Sequence, residues 1–141
     1  MIIPPIRKPD VWGSGEYGAR RVRGGIVYPH EGVDLAAYPD SAVLAHTRMT
    51  VKRIGLPSSD PKKNGLRLIE CEVDAQTRVK FMYVFPTVRV GQRLKTGDRL
   101  GIVQDLNPFY EGITNHYHLE VIIEGVKINP RPWLEYIGYR I

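Results

Sequence analysis

The stretch His116-Tyr117-His118-Leu119-Glu120-Val121-Ile122-Ile123 decides how the rest of the chain is read. It reads as one β-strand, closed by a hairpin turn at Glu124-Gly125 and a short return strand, Val126-Lys127-Ile128. Alternate side chains of a strand share a face, so His116 and His118 project together. Glu120 lies on that same face. It reads as a solvated or sheet-edge glutamate, the alternative being a hydrogen bond that orients one of the histidines.

A second piece far up the chain complements the first. In His30-Glu31-Gly32-Val33-Asp34, a histidine and an aspartate flank a glycine, in a segment able to curl and present both side chains to one point. Three of the four histidines fall in these two pieces. Two imidazoles and a carboxylate suit a catalytic zinc, which keeps one position open for water. A structural zinc would want a closed fourth ligand, most often cysteine. Cys71 is the one cysteine, and it sits in the apolar run Leu68-Ile69-Glu70-Cys71-Glu72-Val73, where a buried thiol is expected.

At 141 residues the chain has the length of one domain with room for a core. Residues 1–12 read as an extended, proline-rich arm and 13–141 as a single domain. Proline and glycine together number 25 and are scattered, which favours short strands and many turns. The segments 41–46, 50–55, 66–73 and 78–85 read as strands, with a turn at 74–77. Leu56 to Gly65 is a polar surface loop, and 104–115 is a long loop leading into the His-x-His strand. Asn129-Pro130-Arg131-Pro132 opens a closing segment expected to pack Trp133, Leu134 and Tyr136. No helical period is sustained, so the class is all-β.

No apolar run reaches the ~18 residues of a membrane span. Met1-Ile2-Ile3-Pro4-Pro5-Ile6 is too short and proline-broken for the apolar core of a signal peptide, so synthesis in the cytoplasm, or trimming from a precursor, is expected. A lone cysteine excludes an internal disulfide. The net charge of +5 favours anionic partners, but only Arg20-Arg21-Val22-Arg23 and Lys62-Lys63 cluster. No nucleic-acid module accompanies them, and no sequence-specific nucleic-acid binding is expected.

In order along the chain, these motifs resemble the lysostaphin/LytM-type zinc metallopeptidases. Tyr17-Gly18-Ala19-Arg20 resembles the family's F-G-x-R, and His30-Glu31-Gly32-Val33-Asp34-Leu35-Ala36-Ala37 its H-x-G-x-D-L-A-A. The stretch from Val90-Gly91-Gln92 to Leu100-Gly101 resembles its paired glycine turns. His116-Tyr117-His118-Leu119-Glu120-Val121 resembles H-L-H-x-E-V, and Ile128-Asn129-Pro130 the terminal V-N-P. The resemblance implies an antiparallel β-sandwich of the duplicated hybrid motif type, related to the barrel-sandwich hybrids. It implies His30, Asp34 and His118 as ligands of a Zn2+ ion and His116 as the catalytic histidine beside it. The activity implied is cleavage of stem or cross-bridge peptides in bacterial peptidoglycan.

The pattern is broken at one point. Active members of the family this chain resembles carry another histidine, in a Y-x-H step before the V-G-Q turn, and Phe85 of Met82-Tyr83-Val84-Phe85-Pro86 is read as standing in its place. His46 reads as a packed or surface histidine, the alternative being a place near the site, and Arg20 as a structural residue of the entry loop, the alternative being substrate contact. Tyr28, Tyr83 and Tyr110 are candidate phenol donors near the metal. Two functions therefore stand: a zinc metalloendopeptidase at the cell wall, carried by a phage tail or lysis apparatus, and a degenerate, non-catalytic zinc-binding member that binds peptidoglycan or other virion or envelope proteins, or serves as a structural piece of a larger assembly. A biotinyl- or lipoyl-type carrier domain shares the glycine turns but needs an exposed modified lysine in a hairpin that this chain lacks.

Overall fold

The computed structural model describes residues 3–137. The first two residues of the expected arm, and 138–141 of the expected domain, lie outside the described residues. In chain order the strands are β1 (Arg20–Arg23), β2 (Ile26–Pro29), β3 (Val33–Ala36), β4 (Ala42–Leu44), β5 (Met49–Gly55), β6 (Leu68–Glu72), β7 (Thr77–Met82), β8 (Val84–Pro86), β9 (Arg93–Leu94), β10 (Arg99–Val103), β11 (His116–Ile123) and β12 (Val126–Ile128). A 3-10 turn covers Pro61–Lys63, and α1 covers Pro130–Tyr136.

Among the described residues all the strand pairings are antiparallel, and they form sheets of seven, three and two strands. The all-β sandwich class holds, with no closed barrel among the described residues. The large sheet runs β12-β11-β7-β6-β5-β9, with β3 on β11. The strand β11 organises it. One edge pairs with β7; the other is shared, with β3 along its first half and β12 along its second. Its odd-numbered residues Tyr117, Leu119 and Val121 join Val33, Leu35, Val79 and Phe81 in the buried core. Its even-numbered residues His116, His118 and Glu120 are buried as well. Burying a polar face is unfavourable unless its groups find partners, which is the first structural sign of a site.

The segment before β1 packs along β3. Ile6 bridges Leu35, the Arg7 amide donates to the Asp34 carbonyl at 2.7 Å, and Ile3 enters the core.

Two local expectations change. The segment 78–85 is not one strand: Tyr83 adopts φ 68° and separates β7 from β8. The closing segment is helical. Asn129 caps it by accepting from the Arg131 amide at 3.1 Å, with proline at the first helical position. Leu134 is buried there and Trp133 half-buried, but Tyr136 is 88% exposed, because about two turns of helix bury only one stripe.

Candidate metal centre

Strand register brings the two sequence pieces together. Asp34 of β3 lies directly opposite His118 of β11, on the same face. His30, just before β3, is fixed at its backbone by bonds with Ala19 and Gly18, each 2.8 Å. The glycine between His30 and Asp34 serves close approach. A Cβ on Gly32 would lie 2.2 Å from the Leu119 carbonyl oxygen, so only glycine lets this segment approach β11 so closely.

The donor atoms converge. His118 Nδ1 lies 2.9 Å from Asp34 Oδ1 and 3.1 Å from His30 Nε2, and His30 Nε2 lies 3.2 Å from Asp34 Oδ1. The edge of a tetrahedron around zinc, with bonds of ~2.0–2.1 Å, is about 3.3 Å. The triangle is slightly tighter than that and close enough to fit. His116 Nε2 stands 3.6 Å from the same aspartate oxygen.

Each imidazole is aimed by its outer nitrogen. His30 Nδ1–H donates to the Glu16 carbonyl, His116 Nδ1–H to the Thr114 carbonyl and His118 Nε2–H to Glu120 Oε2, each at 2.9 Å. All three inner nitrogens then face Asp34 Oδ1, the arrangement expected around a metal whose histidine ligands are oriented from outside. The other aspartate oxygen, Oδ2, accepts from Arg7 Nε at 3.3 Å and Nη2 at 3.1 Å, with Arg21 Nη2 at 3.6 Å.

The electrostatics follow from this packing. Burial would raise the Asp34 carboxyl, but the bonds from His118 and His30 outweigh it and hold the group well below the usual carboxylate range. Burial would likewise depress His118. Its bonds to Asp34 and Glu120 win, and lift it to about 9 in the metal-free chain. For His116 burial dominates and lowers it.

The cluster forms part of the lining of a cleft of about 860 Å³. Tyr83 lies in its wall with its ring edge-on to His116, centroids 5.7 Å apart. The tyrosine backbone is pinned in its left-handed conformation from both sides: its amide donates to the Arg67 carbonyl and its carbonyl accepts from the Gln104 amide. Burial raises the Tyr83 phenol, which stays protonated as a donor. Tyr110 and Tyr28 also line the cleft.

Three expectations need correction, for Phe85, Glu120 and Arg20, while those for His46 and Cys71 hold. Phe85 is 48% exposed on β8, paired with Ile102 of β10, and does not line the cleft. From this segment it is Met82 and Tyr83 that line the cleft, and Tyr83 is the one whose ring meets His116. The positive φ breaks strand alternation, which residue counting assumed continuous. Glu120 is not a solvated sheet-edge residue but a buried partner of His118. Arg21, rather than Arg20, secures the entry loop, donating to the Ser14 carbonyl at 2.7 Å; Arg20 is exposed at the cleft. His46 is buried outside the cleft, with the Phe81 ring at 5.4 Å and the Tyr117 hydroxyl at 3.5 Å. Cys71 is fully buried, and burial pushes its thiol up to about 12. Arg7 carried no signal in the sequence, since its partners lie across the fold and its own segment has no period.

No protein-family model matches the chain. Leukocyte cell-derived chemotaxin-2 of Mus musculus is 33% identical over 119 residues, 82% of this chain and 72% of that protein. The Bos taurus protein of the same name is 30% identical over 115 residues, with the same coverage of 82% and 72%. Among solved structures, the catalytic domain of lysostaphin from Staphylococcus simulans shares the fold at TM-score 0.66 and 22% identity, over 85% of this chain and 89% of that one. LytU does so at TM-score 0.67 and 20% identity, over 86% and 82%. The chain spans 51% of a longer lysostaphin structure. A zinc-containing peptidase from Vibrio cholerae aligns at TM-score 0.60 and 18% identity, over 89% of this chain and 34% of that one. By fold the chain is a lysostaphin/LytM-type domain, and by sequence it belongs to the family of leukocyte cell-derived chemotaxin-2.

Proposed function

We propose that the chain is a zinc-dependent peptidase domain for bacterial cell-wall peptide, with His30, Asp34 and His118 as metal ligands and His116 as the proton-handling residue. The observation that carries this reading is the common aim of three imidazoles, each anchored by its outer N–H, at one aspartate oxygen. Bound there, zinc supplies an acidified water and a polarised scissile carbonyl. His116 keeps the Nε2 lone pair towards the site and can accept a proton from a reacting group. Tyr83 offers a phenol O–H for a developing oxyanion in the cleft wall. Arg7 and Glu120 hold Asp34 and His118 in place. The reading extends to action at the cell wall aboard a virion or during lysis, which detection of the chain in purified virions would test.

A second reading is favoured by Tyr83 and by the relatives' name: a zinc-binding module that recognises a peptide or protein without cleaving it. A phenol cannot take up a proton as an imidazole can near pH 7, and the curated relatives are named as a chemotaxin. One experiment separates the two. Zinc content is measured for the native chain, His118→Ala and His116→Ala, together with release of peptides from peptidoglycan and cleavage of pentaglycine. The peptidase reading expects zinc in the native chain and in His116→Ala, loss in His118→Ala, and cleavage by the native chain alone. Zinc without cleavage selects the module; a native chain without stoichiometric zinc sinks the metal site in both, leaving only the question of peptide binding.

A further inference from the structure

Seven basic side chains line the cleft against three carboxylates, an imbalance the metal cluster does not require. We propose that the cleft takes an extended peptide bearing carboxylates, gripped by Arg23 of the β1–β2 hairpin and Lys63 of the 3-10 turn. This deepens, and rests on, the peptide-directed reading of the same site.

Four of the seven cations are already engaged. Arg7 and Arg21 face Asp34, Lys127 faces Glu31 and Glu120, and Lys80 lies 3.9 Å from Glu70. Among the described residues no carboxylate lies within 4.0 Å of Arg20, Arg23 or Lys63. Two of these three are nonetheless held in place. The Arg23 guanidinium lies 5.5 Å from the Tyr28 ring centroid, and the Lys63 ammonium 4.3 Å from that of Tyr110. An aromatic face positions a cation while leaving its N–H donors uncommitted. A carboxylate is the complement of such a donor, and the guanidinium fork can take it with two parallel bonds.

The hairpin favours a peptide over other polyanions. Its turn, Gly24-Gly25, has φ of 55° and 80°, as a two-residue type I′ loop requires. The pair next to such a turn, Arg23 and Ile26, is hydrogen-bonded, so the following pair, Val22 and Val27, directs its backbone N–H and C=O outward. The hairpin forms a separate two-stranded sheet, and among the described residues no other element bonds those groups. A free strand edge beside uncommitted cations offers main-chain pairing that a glycan or nucleic acid cannot use.

Binding of three fluorescein-labelled hexapeptides by anisotropy tests this: alternating glycine and glutamate, hexaglycine, and alternating glycine and lysine. Each is titrated with the full chain, its Arg23→Gln and Lys63→Gln variants and the double variant, and zinc content is read on each sample. The acidic peptide is expected to bind at least about tenfold more tightly than hexaglycine, with each single variant losing about three- to tenfold and the double variant most of the preference. The basic peptide should bind more weakly than either. The preference should shrink as salt is raised, and zinc content should not change. Equal affinity for hexaglycine, or unaltered affinity in the double variant, overturns the proposal. So does stronger binding of a sulfated hexasaccharide of matched charge, which would make the cleft a general polyanion site. Loss of metal from the native chain with acidic-peptide binding intact would sink the zinc reading and leave this one standing.

Discussion

His118 and Asp34 face each other across the β3–β11 pair, with Nδ1 2.9 Å from Oδ1, while the far nitrogen of the same imidazole donates to Glu120. The ring is therefore held at both ends by carboxylates on one sheet face. Its orientation depends on Glu120 as much as on Asp34. Glu120→Gln keeps the shape but weakens this acceptor. It should lower zinc affinity by about 10- to 100-fold with little loss of fold, as partners of metal-bound histidines generally do. Competition with a chromophoric chelator measures it, and an unchanged affinity would remove Glu120 from the centre.

Tyr83 and Phe85 make opposite predictions. Tyr83 borders His116 inside the cleft, whereas Phe85 is exposed on β8 outside it. An imidazole at 83 can exchange a proton with a reacting group. If the chain presents peptide to the metal, Tyr83→His should raise turnover on peptidoglycan by about 10²-fold or more, and Phe85→His should leave it unchanged. A gain from Phe85→His, with none from Tyr83→His, would return the missing histidine to position 85.

How much of this was legible follows from what each residue depends on. The strand 116–123 and its hairpin were readable to the residue, because alternation and a turn signal are local properties. His30, Asp34 and His118 were nameable as a set through their motifs, but their meeting point is a register between strands 84 residues apart. The Tyr83 break was invisible: the φ of 68° is fixed by bonds to Arg67 and Gln104, both distant in sequence. The helix at Pro130–Tyr136 did carry a local signal, the Asn-Pro cap, which a search for sustained periodicity passes over in so short an element.

Arg7 is the least legible residue and among the most consequential. It is 2% exposed, and its guanidinium bonds Asp34, Asp10 and the Gly13 carbonyl. Arg7→Ala leaves the buried Asp34 oxygen facing only the more distant Arg21. Removing one partner of a buried pair costs about 3–5 kcal/mol, so the urea midpoint should fall sharply. Arg7→Lys should recover part of the loss but not the two-bond grip. A loss below about 1 kcal/mol for Arg7→Ala would show that the pair is solvated in solution.

Gly32→Ala tests the close approach of β3 and β11. The added methyl would meet the Leu119 carbonyl at 2.2 Å and the His118 ring at 2.9 Å, and neither can withdraw without disturbing the register that places Asp34 opposite His118. Overpacking of this kind costs about 1–3 kcal/mol or more. The expected result is a lowered thermal midpoint together with weakened zinc binding. A variant of native stability and native zinc content would mean that the β3–β11 junction tolerates displacement.

His46 supplies an acid-sensitive term away from the cleft. It is buried beside Phe81 and Tyr117, and burial lowers its imidazole from 6.5 to about 4. The unfolded chain therefore binds a proton at this residue that the folded chain refuses. Stability contributed by neutral His46 is complete above pH 6.5 and is lost progressively as the pH falls towards about 4. Over that window the loss approaches about 3 kcal/mol, at no more than ~1.4 kcal/mol per pH unit. The carboxylates of Asp34, Glu70 and Glu120 also titrate in acid, so the measurement is a difference between native chain and His46→Gln. Urea unfolding at pH 7.5, 6.0 and 5.0 should show the native chain losing more stability than the variant, with the gap widening at each step. Parallel losses in the two proteins would place the acid sensitivity elsewhere, in the ion pairs of Asp34 and Glu70.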